Sequence, residues 1–321
     1  MVLGFFEKHF EAADLPDLSG KVAIVTGGNT GIGYLTCLHL AEKNARVYMA
    51  SRTKSRAEAA IEKIKAQNPK AEVVWLDMDL TDLATVKRAA ETFLAKEKRL
   101  DILVNNAGIM ATPYNLTKDG VEEQFQTNHL GHFLLTTKLL PLLKQTSRES
   151  GSARIVNLSS LAHSQLSTAA MNFDTLEHVN QEHGRIKAQA TFYRYGQSKL
   201  ANALFTVELD RRLKGENIYA NFVHPGVIAT ELHRGVGSSF GQWTSKLMDV
   251  VGGMTMLTPY QGALTSLYAA ASPEIVEKGY RAQYFVPYAK LAKPSPYALD
   301  EVKGKNLWEL SEKILQDKGF M

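Results

Sequence analysis

The run Val22-Ala23-Ile24-Val25-Thr26-Gly27-Gly28-Asn29-Thr30-Gly31-Ile32-Gly33 decides the fold. Its first four residues are apolar and read as a buried strand, the glycines as a turn, and 32–43 as a helix by periodicity. A strand that passes through glycines into a helix N-terminus is a seat for a pyrophosphate. Glycine lets the backbone approach the anion, and the first helical N–H groups face it with the positive end of the dipole. The spacing is G-x-x-x-G-x-G, and Tyr34 follows Gly33, so the Gly-Lys-Ser/Thr ending of a nucleoside-triphosphate loop is missing. Taken alone, the run is also compatible with a glycine-rich junction that binds nothing.

Outward from it the alternation continues. Strands are expected at 46–50, 73–76, 102–104, 153–158, 218–223 and 283–286. Helices are expected at 55–67, 83–95, 121–144 (ending near Pro141) and 195–213, the last stopping near Gly215. Uninterrupted apolar strands separated by helices predict an α/β fold, a doubly wound parallel sheet of about seven strands with helices on both faces. At roughly 150 residues per domain, 321 residues point to two domains. No Pro/Gly/Ser-rich linker divides the chain, so one domain, 1–321, is expected.

Composition narrows the function. Hydrophobic residues are 45% and charged residues 22%, which excludes disordered, collagen-like and disulfide-scaffold classes. The net charge of +4 is spread without a dense Lys/Arg block, so nucleic acid is not an expected partner. Cys37 is the only cysteine, which excludes an intrachain disulfide and a cysteine-based zinc site and fits a reducing, cytoplasmic compartment. No transmembrane segment is expected: Glu7, Lys8 and Glu11 interrupt the N-terminus, and 250–273 contains Gly252, Gly253, Pro259 and Gln261.

The end of the second strand reads Ala50-Ser51-Arg52-Thr53-Lys54. A site for NAD(H) places Asp or Glu there. Ser51 and Arg52 instead suit a 2′-phosphate, which puts NADP(H) ahead of NAD(H), although Arg52 and Lys54 also read as solvated charges. Further along stand Asn105-Asn106-Ala107-Gly108, Asn128 within Gln126-Thr127-Asn128-His129-Leu130-Gly131-His132, Ser159-Ser160, and Tyr195-Gly196-Gln197-Ser198-Lys199. Tyr195 and Lys199 are four apart and share a helix face. An ammonium beside a phenol, together with a cationic nicotinamide ring, is expected to lower its pKa from near 10, making Tyr195 a general acid/base, with Ser160 donating to the same substrate oxygen. His129, His132, His163 and His224 lack metal-ligand spacing, and no metal is expected.

In this order the motifs resemble the short-chain dehydrogenase/reductase family, from Lys21 to about Val286. The resemblance implies a Rossmann-type fold with Tyr195 as acid/base, Lys199 as its modulator and ribose ligand, Ser160 as polarising hydroxyl, and Asn128 holding a water in a relay to Lys199. The implied cofactor residues are Gly27, Asn29, Thr30, Gly31, Ile32, Gly33, Ser51, Arg52, Asp79, Leu80, Asn106, Ala107, Gly108, Tyr195, Lys199, Pro225, Gly226, Ile228 and Thr230. Ser160 and Tyr195 are 35 apart, a lengthened connection. With Leu161-Ala162-His163 and Leu307-Trp308-Glu309 it resembles the retinol-dehydrogenase-like branch, which includes fungal reductases of secondary metabolism.

Segment 229–257 is expected to form a substrate lid, offering Leu232, Val236, Phe240, Trp243, Leu247 and Met248 to an apolar ligand. Segments 1–20 and 287–321 read as terminal extensions. The expected activity is an NADP(H)-dependent carbonyl reductase/alcohol dehydrogenase acting on a lipophilic ketone, aldehyde or secondary alcohol. The resemblance also implies a homodimer or homotetramer through helices 121–144 and 195–213. The alternatives are a non-catalytic dinucleotide sensor and a non-redox isomerase, cyclase or dehydratase on the same scaffold.

Overall fold

The structure, a computed structural model, describes residues 9–165, 170–184, 186–228 and 256–321. Its strands are β1 Val22–Thr26, β2 Arg46–Ser51, β3 Val73–Asp77, β4 Ile102–Asn105, β5 Ala153–Leu158, β6 Ile218–Val223, β7 Tyr284–Val286 and β8 Lys290–Ala292. Its helices are α1 Gly31–Glu42, α2 Lys54–Gln67, α3 Leu83–Lys96, α4 Glu123–Phe125, α5 Gly131–Ser150, α6 Leu176–Val179, α7 Lys187–Arg212, α8 Pro259–Ala271, α9 Glu274–Glu277 and α10 Glu301–Asp317.

All these strands form one sheet in the order β3-β2-β1-β4-β5-β6-β7-β8, parallel except for the β7–β8 pair. Alternation along each strand feeds two cores. Val22 and Ile24 face one cluster with α3, α5, α7 and α10, while Ala23 and Val25 face the other with α1, α2 and α8. The order reverses between β1 and β4, so the loops after those two strands diverge and open a crevice at their C-terminal ends.

Four expectations need correction. The sheet has eight strands, not seven: a three-residue turn, 287–289, in which Tyr288 and Ala289 have positive φ, adds the short antiparallel β8. Such turns ordinarily carry Gly or Asn, so Tyr-Ala gave no turn signal. The helix expected to end near Pro141 runs through it to Ser150 and stops at Gly151, whose φ of +84° supplies the left-handed cap. Its start is not a plain helix at 121 either: α4 passes into a π-helical turn, Gln126–Leu130, before α5. Finally, α7 begins at Lys187, so Tyr195 lies two turns inside a helix instead of opening one.

Candidate active site

A cleft of about 550 Å³ lies at the switch point. It is lined by Gly27, Asn29, Thr30, Gly31, Ile32, Gly33, Ser51, Arg52, Asp79, Leu80, Asn106, Ala107, Gly108, Tyr195, Lys199 and Pro225 among the residues expected from sequence. Gly226 and Ile228 stand outside the lining: Gly226 packs toward Leu257 and Pro287, and Ile228 bridges to Leu257. Thr230 and the lid residues at 229–255 fall outside the described residues.

The glycine turn is built for a close approach. Gly27 and Gly31 have φ of +64° and +56°, in the left-handed region. A Cβ on Gly33 would sit on the Gly27 carbonyl and 2.6 Å from Asn106 Nδ2. Thr30 caps α1 without a side-chain hydrogen bond, which leaves the first helical N–H groups to the cleft. Ser51 Oγ and Thr127 Oγ1 line the same cleft as buried hydroxyls with no hydrogen-bond partner in the protein. Cradle, helix N-terminus and orphan hydroxyls fit a dinucleotide.

Thr26 wires this turn to the far wall. Its hydroxyl oxygen accepts from the Asn106 and Ala107 N–H groups, each at 2.9 Å. Its own proton is therefore left for His132 Nε2 at 2.8 Å, and His132 Nδ1–H donates to the Asn128 carbonyl at 2.9 Å. His132 is thus neutral with both nitrogens used, and burial pushes its pKa down to about 4.

This makes a stability prediction. Unfolding restores the ordinary value of 6.5, so the native form binds fewer protons between pH 6.5 and about 4. The stability contributed by neutral His132 is present above pH 6.5 and is lost as pH falls toward 4, worth roughly 3 kcal/mol at full extent. Buried His129 and His224, pushed down to about 3 and about 4, act in the same direction. The urea midpoint should drop between pH 6.5 and 4, and His132→Asn should flatten part of that slope. A midpoint independent of pH over that range contradicts the assignment.

Asn128 sits in the π turn, where the wider winding moves it out of helical register. Its amide pairs with one backbone unit: Oδ1 accepts from Ile109 N–H at 2.8 Å, and Nδ2 donates to the Ile109 carbonyl at 3.0 Å and to Ser198 Oγ at 2.8 Å. Asn128 therefore fixes the wall after β4, and Gly108 fits between it and Lys199. A Cβ there would lie 3.2 Å from Asn128 Oδ1 and 3.4 Å from Lys199 Nζ.

Tyr195 and Lys199 share one face of α7, with Lys199 Nζ 5.7 Å from the phenol ring centre. Ser160, which follows β5 and caps a short 3-10 turn, Leu161–Ser164, acts on the Tyr195 phenol from beside it. Lys199 Nζ donates to the Leu158 carbonyl at 3.0 Å, and Ser159 Oγ donates to the Lys199 carbonyl at 2.8 Å. In the chain by itself, burial dominates both groups. Burial pushes Tyr195 up to about 12, partly offset by the neighbouring Ser160 hydroxyl, and burial pushes Lys199 down to about 7. Within the chain alone desolvation outweighs the ammonium's pull on the phenol.

Sequence reasoning missed Arg56, Ile109, Met110, Thr112, Glu123 and Thr127, all of which line the cleft. Arg56 was legible as the residue one turn after Arg52. Glu123 and Thr127 were hidden by the π turn. Glu123 faces Arg52 and Asp79, and burial raises its pKa. Among the described residues, no three His, Cys, Asp or Glu side chains gather as metal ligands.

A family model described as short chain dehydrogenase matches residues 21–173. An uncharacterized oxidoreductase of Schizosaccharomyces pombe is 42% identical over 311 residues, covering 96% of this chain and 88% of the relative. This chain belongs to the short-chain dehydrogenase/reductase family. Mouse retinol dehydrogenase 11 is 41% identical over 93% of this dehydrogenase/reductase and 87% of its own length. A crystal structure of an uncharacterized Mycobacterium paratuberculosis protein superposes with a TM-score of 0.72 at 34% identity, covering 96% and 98% of the two chains. As a family member the protein is an NAD(P)-dependent oxidoreductase acting on CH–OH groups of small molecules. No helix among the described residues is long and apolar enough to cross a membrane.

Proposed function

We propose that the protein is an NADP(H)-dependent carbonyl reductase/alcohol dehydrogenase for lipophilic ketones, aldehydes or secondary alcohols. The observation that carries this reading is that Tyr195 and Lys199 line one cleft with the glycine turn, with Ser160 acting on the Tyr195 phenol. Gly27 to Gly33 and the N-terminus of α1 hold the pyrophosphate, Ser51 and Arg52 the 2′-phosphate, and Lys199 the ribose beside it. Bound there, the nicotinamide supplies or accepts a hydride.

The chain's own residues handle the proton. Ser160 and Tyr195 both donate to the carbonyl oxygen, which gathers negative charge as it becomes an alkoxide. The Tyr195 phenol, held protonated by burial, gives up its proton only to a base as strong as that alkoxide. Lys199 stabilises the phenolate that remains. A sensor has no use for this proton-transfer set, which favours the enzyme over the non-catalytic alternative. Ile109, Met110 and Leu158 line the cleft and supply apolar surface for a lipophilic substrate.

Arg52→Ala tests the cofactor assignment. A charge-assisted contact to a 2′-phosphate makes NADPH affinity fall roughly 10- to 100-fold while NADH affinity stays within about twofold. Equal losses for both, in a fluorescence titration, would rule out Arg52 as the discriminating residue. A screen of NADPH oxidation against aliphatic, aromatic and steroidal ketones tests the substrate class, and no turnover with any of them would overturn it.

A further inference from the structure

Arg194, the residue before Tyr195, is the largest fully buried side chain among the described residues, and its charge must be satisfied inside the protein. Nη1 donates to the Glu182 carbonyl at 2.6 Å and Nη2 to the Thr112 carbonyl at 3.1 Å. Nε lies 3.2 Å from Glu122 Oε1, a close charge contact in which the N–H points off the line. The guanidinium lies over the Tyr114 ring at 5.4 Å. Glu122 is fully buried as well, and its other oxygen accepts from Phe125 N–H at 2.7 Å.

These acceptors come from two connections, Thr112 and Glu122 from that between β4 and α4 and Glu182 from that between β5 and α7. Thr112 belongs to the wall after β4, which also puts Ile109 and Met110 into the cleft. Glu182 belongs to the lengthened connection between Ser160 and Tyr195. Glu122 precedes α4. Other contacts at the junction tie the same pieces together. Gln197 Nε2 donates to the Val179 carbonyl at 2.9 Å, Thr191 Oγ1 to the Thr112 carbonyl at 2.7 Å, and Tyr114 OH to the Asn180 carbonyl at 2.9 Å. Glu122 N–H donates to Asn180 Oδ1 at 2.8 Å. The glycine turn and Arg52 take no part in this network.

We propose that the buried Arg194–Glu122 pair is a clamp that registers the substrate-side wall and the lengthened connection onto the helix carrying Tyr195. Arg194 is a positioning residue for the reaction proposed above, on which this inference rests. Stability alone does not account for the pair. Buried ion pairs are often replaceable by apolar residues of similar volume at no loss, and here desolvation dominates Glu122. The pair instead fixes where two loops meet the helix that carries Tyr195.

The experiment follows from that distinction. Each single apolar substitution strands a buried charge and risks unfolding, whereas Glu122→Leu combined with Arg194→Met removes both charges together. In this double variant NADPH affinity by fluorescence titration should stay within about twofold, because the phosphate cradle is untouched. The carbonyl kcat/KM should fall at least roughly 10-fold, and amides of 109–114 and 170–184 should exchange hydrogen at least roughly 10-fold faster, with those of α1 unchanged. Unchanged exchange, or unchanged kcat/KM in an active enzyme, overturns the clamp. Where the wild-type protein reduces no carbonyl, the exchange measurement still decides the clamp, and the missing turnover counts against the proposed function alone. Should the double variant not fold, Arg194→Lys keeps the charge but loses the planar fork, and carries the same expectations.

Discussion

Tyr195→Phe should cut reductive turnover by roughly 10²- to 10⁴-fold while NADPH binds as before. The substitution removes one oxygen from a side chain that is 6% exposed, so the packing of α7 survives. What disappears is the proton donor beside Ser160. Burial holds the phenol near 12, well above neutral pH, so at working pH it is the acid form that meets the substrate. That state suits reduction, in which a proton must be delivered as the alkoxide forms. Oxidation of an alcohol needs the phenolate, and Lys199, pushed down to about 7 by the same burial, is a weak counter-charge without further help. The measurement is steady-state NADPH oxidation beside a cofactor titration. Turnover above a tenth of wild type would remove Tyr195 from proton transfer, and a parallel loss of cofactor affinity would make it a binding residue.

Gly33→Ala should abolish cofactor binding at micromolar concentrations and lower stability by about 1–3 kcal/mol. The added methyl falls on the Gly27 carbonyl and 2.6 Å from Asn106 Nδ2, the atom that donates to the Thr26 carbonyl at 2.7 Å. The first contact is backbone and the second is held by that hydrogen bond, so the turn itself must open. Gly304→Ala is the internal control: it lies within α10, its nearest neighbour is Glu208 Cβ at 3.7 Å, and alanine is the better helix former. Thermal melts and NADPH titration of both variants separate a specific steric demand from a general cost of losing glycine. An unaffected titration for Gly33→Ala would mean that the turn does not hold the pyrophosphate.

The parallel sheet was legible because its strands are short uninterrupted apolar runs, a pattern that only two-sided burial requires. Tyr195 and Lys199 were legible because a spacing of four on a helix needs no tertiary information to put both on one face. The glycine turn was legible for a similar reason, since strand, glycines and helix are contiguous in the chain. The eighth strand, the passage of α5 through Pro141 and the π turn at Asn128 were not. Each depends on a backbone geometry that the local residues merely tolerate and the surrounding packing selects.

Charge and protonation divide in the same way. Sequence by itself determined which ionisable groups the site contains and that no carboxylate ends β2, because these are matters of identity and order. Only the tertiary structure decided that burial outweighs the lysine's pull on Tyr195, that His132 joins Thr26 to Asn128, and that Arg194 is sealed against Glu122. Desolvation depends on what surrounds a group from every direction, and no one-dimensional spacing carries that.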